Sequence, residues 1–160
     1  MKTITKIMVA MDFSDYSLAA AEYAAKLAKD TGADLLFTNV FNQRDVSLMN
    51  KAGKKFLEFS AEKNLERHMN DRKERLNDLA RRITGNDIGV KTSLRIGVPY
   101  EGLLEEIKAE KPDLLVMGAK GRSSVVDMII GSCAQKMFRH SPIPLLSIRG
   151  NWKKHALRSN

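Results

Sequence analysis

The chain predicts an α/β fold: a single doubly wound domain with a five-stranded parallel sheet, about four helices and strand order 3-2-1-4-5. Three observations lead there. Short apolar runs alternate with stretches of helical period along the chain, the pattern of strand–helix–strand units around a parallel sheet. Most of those runs are apolar at consecutive positions, as strands buried on both faces are. The length, 160 residues, suits one domain with no need of a disulfide or structural metal.

Each element can be justified in order. Ile7, Met8, Val9, Ala10 and Met11 form a first buried strand. Asp12, Phe13 and Ser14 open a helix with Ser14 as its N-cap, and Gly32 closes it. Within it, Tyr16, Ala19, Tyr23 and Leu27 recur at helical spacing and predict the buried stripe. Asp34 to Val40 is a second strand. Residues 41–55 are polar without a period and read as a long loop. A long helix is predicted over residues 56–83, with Leu65, Met69, Leu76, Leu79 and Ile83 on its buried face. Asp71–Arg75 and Asp78–Arg82 are opposite-charge pairs four apart on its wet face. Val90, Thr92, Leu94 and Ile96 alternate with Lys91, Ser93 and Arg95, which predicts an edge strand with one apolar and one polar face. Gly97, Val98 and Pro99 turn into a helix holding Leu103, Leu104 and Ile107. Pro112 precedes a buried strand of Asp113, Leu114, Leu115, Val116 and Met117. A helix over residues 131–140 follows, and Pro142 and Pro144 lead into a last strand of Leu145, Leu146, Ser147, Ile148 and Arg149. Residues 1–150 make the domain, and residues 151–160 a basic C-terminal tail that contains Trp152.

Composition removes several function classes. One cysteine, Cys133, excludes an internal disulfide framework, and with three histidines in the chain a Cys/His zinc site is nearly excluded. No apolar run approaches the ~20 residues of a membrane span, and the N-terminal strand lacks a small-residue cleavage site, so a cytoplasmic protein is expected. Lys and Arg number 27 against 19 Asp and Glu, a net charge of +8 that favours anionic partners. Those charges are dispersed and aromatics are only 6%, so a nucleic-acid platform is not indicated.

Ligands of doubly wound sheets bind beyond the carboxyl ends of the strands, where the winding reverses. That rule selects the residues after Met11, Val40 and Met117. After Met117 stand Gly118, Lys120, Gly121 and Arg122, then Gly131, Ser132 and Cys133, in the spacing G-x2-G-x9-G-S. Gly118 and Gly121 have no Cβ to keep a ligand off the backbone. Gly131, Ser132 and Cys133 stand at a helix start, whose unpaired N–H groups and dipole attract phosphate. Lys120 and Arg122 add positive charge at the same mouth. The same residues suit plain structural roles equally well: a glycine turn, and Ser132 as a helix cap. Asp12 can accept ribose hydroxyls or hold a divalent cation, or it can cap the first helix with Ser14. Val40 can offer backbone hydrogen bonds to a base, or be a core valine. Cys133 at a helix start invites a redox reading, but it also suits a small half-buried residue whose backbone N–H matters.

With these motifs quoted, the chain resembles the universal stress protein family over nearly its whole length to about residue 150. The residues that carry the resemblance are I-M-V-A-M-D-F-S at 7–14, Gly97-Val98-Pro99, D-L-L-V-M-G-A-K-G at 113–121, and Gly131-Ser132 before P-I-P-L-L at 142–146. The glycine spacing is the pattern of the family's ATP-binding branch. The resemblance implies ATP, or AMP or ADP, as cofactor, with Mg²⁺ or Mn²⁺ held by its phosphates. It implies that Asp12 contacts the ribose or that metal, that Ala10 and Met11 line the nucleotide edge, and that Val40 meets adenine through its backbone. Gly118 would lie against the ribose. Lys120, Gly121 and Arg122 would follow the phosphate path, ending at Gly131, Ser132 and Cys133. It further implies a homodimer through the last strand, Leu145, Leu146, Ser147, Ile148 and Arg149. Departures are Lys120 where the family often has histidine, no proline near Ala10 and Met11, and a lengthened polar connection over residues 41–63.

The implied activity is nucleotide binding in stress response or signalling without efficient catalysis. No Walker G-x4-G-K-[ST] motif is present, and no serine or cysteine has an evident His/acid partner. A dimeric family member that binds no nucleotide is the alternative. An adenylyl-transferring enzyme is less favoured, because H-x-G-H and S-G-G-x-D are missing. A two-component receiver needs an acid at the end of its middle strand, where this chain has Met117 and Gly118.

Overall fold

Three runs that are apolar on both faces build the middle of the sheet. The computed structural model describes residues 3–53, 59–85, 88–120 and 130–150. Strand β1 (Lys6–Met11) is buried from Ile7 onward, β4 (Leu114–Gly118) is buried throughout, and β2 (Asp34–Asn42) is buried over most of its length. With β3 (Val90–Gly97) and β5 (Leu145–Ile148) they form one parallel sheet of order β3-β2-β1-β4-β5, as expected. The last strand ends at Ile148, one residue short of the expected Arg149. Helices α1 (Asp15–Thr31) and α3 (Phe59–Thr84) cover one face, and α4 (Pro99–Glu110) and α5 (Ser132–His140) cover the other. Among the described residues no helix is long and apolar enough to cross a membrane.

Helix α1 starts and stops where the sequence placed it. Ser14 is the N-cap and accepts the Ser17 N–H, and Gly32 closes the helix in the left-handed region at φ 72°. Its buried face is not the stripe of large residues. Ser17, Ala19, Ala20, Ala21, Ala24, Ala25 and Ala28 are buried, while Tyr16, Tyr23 and Leu27 flank them half-exposed. An alanine face lets the helix axis approach the sheet closely. Gly118 completes that fit: a Cβ there would stand 2.7 Å from Tyr16 Cβ and 2.8 Å from its carbonyl carbon.

Residues 41–53 are not a loop, and residues 54 and 55 lie outside the described residues. Phe41 and Asn42 extend β2, and Gln43–Gly53 forms a fifth helix, α2, against β2 and α3. Asn42 Oδ1 accepts the Arg44 N–H at 3.0 Å and so starts the helix. Val46 is its buried anchor, at 3% exposure. With so few apolar residues, tertiary contact decides its conformation. Helix α3 is described from Phe59 and runs to Thr84, one residue past the expected end; residues 56–58 of the expected helix lie outside the described residues. At about 1.5 Å per residue it outreaches the strands, so its first turns overhang the sheet. Leu76, Leu79 and Ala80 are accordingly buried, whereas Leu65 and Met69 are only half-buried. Of the expected ion pairs, Asp78 meets Arg81 rather than Arg82, at 3.9 Å, and the Arg75 guanidinium lies over the Phe13 ring.

Strand β3 is an edge strand whose polar face is only partly open to water. Helix α4 covers it through ion pairs. Arg95 Nε donates to Glu106, which is 3% exposed, and Arg95 also reaches Glu105 at 3.3 Å. Lys91 Nζ bonds Glu110 at 2.5 Å, and Lys6 Nζ stands 3.5 Å from the same carboxylate. On the other face Thr92 donates to Asn77 of α3. Asp113 ties down the far end of the sheet, accepting the Thr5 N–H at 2.9 Å, the Thr5 hydroxyl at 2.8 Å and the Lys6 N–H at 3.1 Å.

Two outcomes follow from these ion pairs. Glu106→Ala takes from the partly buried Arg95 its buried partner, leaving only the exposed Glu105, and should lower stability by about 1–3 kcal/mol, read from the urea midpoint. The Lys91 hydrogen bond, aided by the nearby charges of Lys91 and Lys6, holds Glu110 below its ordinary value of 4.5, although partial burial opposes them. The pair therefore stabilises the fold above that value, and the stabilisation is lost as pH falls through the lower folded one. Glu110→Gln should flatten the acid limb of the stability–pH curve, and an unchanged limb would contradict the assignment.

Candidate functional site

The winding reverses between β1 and β4, whose chains leave the sheet in opposite directions. Beyond their carboxyl ends lies a cleft of about 390 Å³, within the range of small-molecule sites. Its β1 corner is rigidly made. Phe13 sits in the left-handed region at φ 64°, uncommon for a residue with a side chain. Three contacts hold that turn. Asp12 Oδ1 accepts the Ser14 N–H at 3.0 Å and the Ser14 hydroxyl at 2.5 Å. Asn39 Nδ2 donates to the Met11 carbonyl at 2.7 Å, and Asn39 Oδ1 accepts from Arg72 at 3.3 Å. Arg75 covers the Phe13 ring. Asp12 thus supports the Ser14 cap of α1 and also lines the cleft.

Nine of the expected residues line this one cleft: Ala10, Met11, Asp12, Val40, Gly118, Lys120, Gly131, Ser132 and Cys133. Gly121, Arg122 and Trp152 lie outside the described residues. The structure changes the physical part assigned to several of them. Gly118 lacks a Cβ because the first turn of α1 lies against it, which is a packing requirement. The Gly131 N–H donates to the Ala119 carbonyl at 3.0 Å, so it is not an open donor. Ser132 does not cap: Gly131 is the N-cap of α5 and supplies no side-chain bond. The amides of Ser132 and Cys133, in the first turn, have no intrahelical acceptor. Lys120 brings its ammonium 5.9 Å from the centroid of the Tyr16 ring, at the same mouth.

Cys133 does not suit redox chemistry. Burial, with the charge of Asp12 acting the same way, pushes its thiol up to about 11, against a smaller opposing effect of Lys136. The thiol therefore stays protonated at neutral pH.

Ser17, Thr38, Asn42, Asp45, Pro99, Leu103 and Met117 also line the cleft without having been singled out as ligand contacts. Thr38 and Asn42 had a signal, because a strand places residues two apart on one face and Val40 lies between them. Asp45 had none, since its helix was read as a loop. Among the described residues no group of three His, Cys, Asp or Glu side chains is placed to hold a metal ion.

Comparison with known proteins accords with this architecture. The model of the universal stress protein family matches residues 3–149. The universal stress protein in the QAH/OAS sulfhydrylase 3′ region of Thermus aquaticus is 32% identical over 144 residues, covering 89% of this chain and 97% of that protein. Hypothetical protein MJ0577 of Methanocaldococcus jannaschii shares the fold at a TM-score of 0.73 and 20% identity, over 92% of this chain and 97% of its own. The universal stress protein from Archaeoglobus fulgidus, solved in complex with dAMP, does so at 0.58 and 15% identity, over 92% and 99%. Strand order, the cleft at the winding reversal and a family match spanning almost the whole domain agree: the chain belongs to the universal stress protein family.

Proposed function

We propose that this chain binds an adenine nucleotide, with ATP as the principal ligand, and acts as a nucleotide-responsive stress or signalling module rather than as an efficient enzyme. One observation carries the reading. The uncapped start of α5 opens onto the same cleft as Asp12, Lys120 and Val40. Two amides with no intrahelical acceptor and the positive end of a helix dipole attract phosphate there. The glycine spacing of the family's ATP-binding branch and the dAMP complex of a structural neighbour support the same ligand class.

In this reading the triphosphate runs past Lys120, Gly121 and Arg122 to the amides of Ser132 and Cys133. Gly131 shapes the turn but donates its own N–H within the protein. Ala10 and Met11 line the nucleotide edge, Gly118 meets the ribose, and the Val40 backbone faces adenine. Among the described residues, the cleft offers a cation the carboxylates of Asp12 and Asp45. That suits Mg²⁺, which keeps several waters and binds through one or two carboxylates with nucleotide phosphates. When bound, such an ion would neutralise phosphate charge beside Asp12. A protonated Cys133 gives the site no ready nucleophile, in keeping with binding without rapid turnover.

The same reading includes a homodimer. Strand β5 lies at the end of the sheet and pairs only with β4, so its outer edge is available to a second copy. Light scattering should return twice the 17.9 kDa chain mass, and a monomer at every concentration tested would remove the dimer.

Calorimetry with ATP, ADP and AMP, with and without Mg²⁺, tests the ligand. Asp12→Asn keeps an oxygen to cap Ser14 but removes the charge. It should weaken ATP binding about tenfold in Mg²⁺ and abolish the dependence on the metal. Equal affinities for the variant and the unaltered chain, with Mg²⁺ present, would contradict the role given to Asp12.

A further inference from the structure

We propose that Thr38 is a specificity-determining residue of the cleft, its hydroxyl making a hydrogen bond to the base of the bound nucleotide. The inference rests on the nucleotide reading above and assigns the base end of that site. Thr38 is wholly buried, at 0% exposure, and among the described residues its Oγ1 is the one buried side-chain oxygen or nitrogen with no hydrogen-bond partner. The hydroxyls of Thr5, Thr31, Thr84 and Thr92 all bond protein acceptors. A valine would fill the same space in β2 without the cost of an unpaired polar atom. The unmet bond is therefore a feature that packing alone does not explain.

Its position says what could meet it. Thr38 stands beside Ala10 in the sheet register and lines the floor of the cleft with Val40 and Leu103. That part of the wall is mostly apolar. The phosphate-attracting groups, Lys120 and the start of α5, come after β4, two strands away from β2. At about 4.8 Å per strand the separation is roughly 10 Å. A nucleotide lying across β1 with its phosphates at α5 therefore brings its flat ring over Thr38. A hydroxyl both donates and accepts, as the edge of adenine does.

Thr38→Val and Thr38→Ser, titrated with ATP and AMP by calorimetry and melted without nucleotide, test this. Thr38→Val should melt higher than the unaltered protein when empty, because the orphaned hydroxyl is gone. It should bind ATP and AMP about five- to twentyfold more weakly, by the same factor for both, since the base is common to them. Thr38→Ser keeps the hydroxyl and should bind within about threefold of the unaltered chain. Undiminished ATP affinity in Thr38→Val overturns the inference alone. So does a loss seen with ATP but not AMP, which would put the hydroxyl at the phosphates, and so does an equal loss in both variants, which would make shape the cause. If the unaltered protein binds neither nucleotide, the proposed function falls and this inference with it.

Discussion

Two helices begin at the same notch, and only one of them satisfies its own first turn. The reversal of winding between β1 and β4 creates the notch and aims both α1 and α5 at it. Helix α1 is closed internally: Ser14 caps it and Asp12 holds Ser14. Helix α5 has Gly131 where a capping side chain would stand. The same backbone chemistry thus yields a sealed end and an open one a short distance apart. In the proposed reading the open end is what draws an anion to the cleft, in a chain whose net charge of +8 points the same way.

The sealed end sets the cleft's shape. A left-handed Phe13 between Asp12 and Ser14 turns the chain sharply, and the Asn39–Arg72 contacts fix the carbonyl of Met11 just before the turn. The alanine face of α1 and the absence of a Cβ at Gly118 bring α1 down onto β4. Gly102 does the same for α4, where a Cβ would meet Val40 Cγ1 at 2.8 Å. Two glycines, Gly118 on β4 under α1 and Gly102 on α4 over β2, thus let helices on opposite faces approach the sheet closely around the cleft. Neither adopts a positive φ, so the missing side chain, not backbone freedom, is what each position requires.

Much of this was legible in the sequence. Four strands read correctly because they are apolar runs and β3 because its residues alternate, and the alternation of strands with helices pointed to the parallel doubly wound sheet that is observed. The ends of α1 were marked by Ser14 and Gly32. Nine site residues were legible because the carboxyl ends of β1, β2 and β4 and the start of α5 are where such sheets leave backbone unpaired. The misses have physical causes. Helix α2 carries few apolar residues and depends on contacts with β2 and α3, which local pattern does not carry. The face of α1 was misread because large residues were weighted over alanines. The partner of the Gly131 N–H could not be foreseen, since Ala119 stands a dozen residues earlier in the chain.

The central claim is that the first amides of α5 receive the phosphates of an adenine nucleotide. Two-dimensional ¹⁵N–¹H spectra of the labelled protein during ATP addition test it most directly. The account predicts large, saturable shifts of the Ser132 and Cys133 amides together with Val40, and little change at Gly131, whose N–H already bonds Ala119. Saturation of the protein with ATP while the Ser132 and Cys133 resonances stay in place would contradict it.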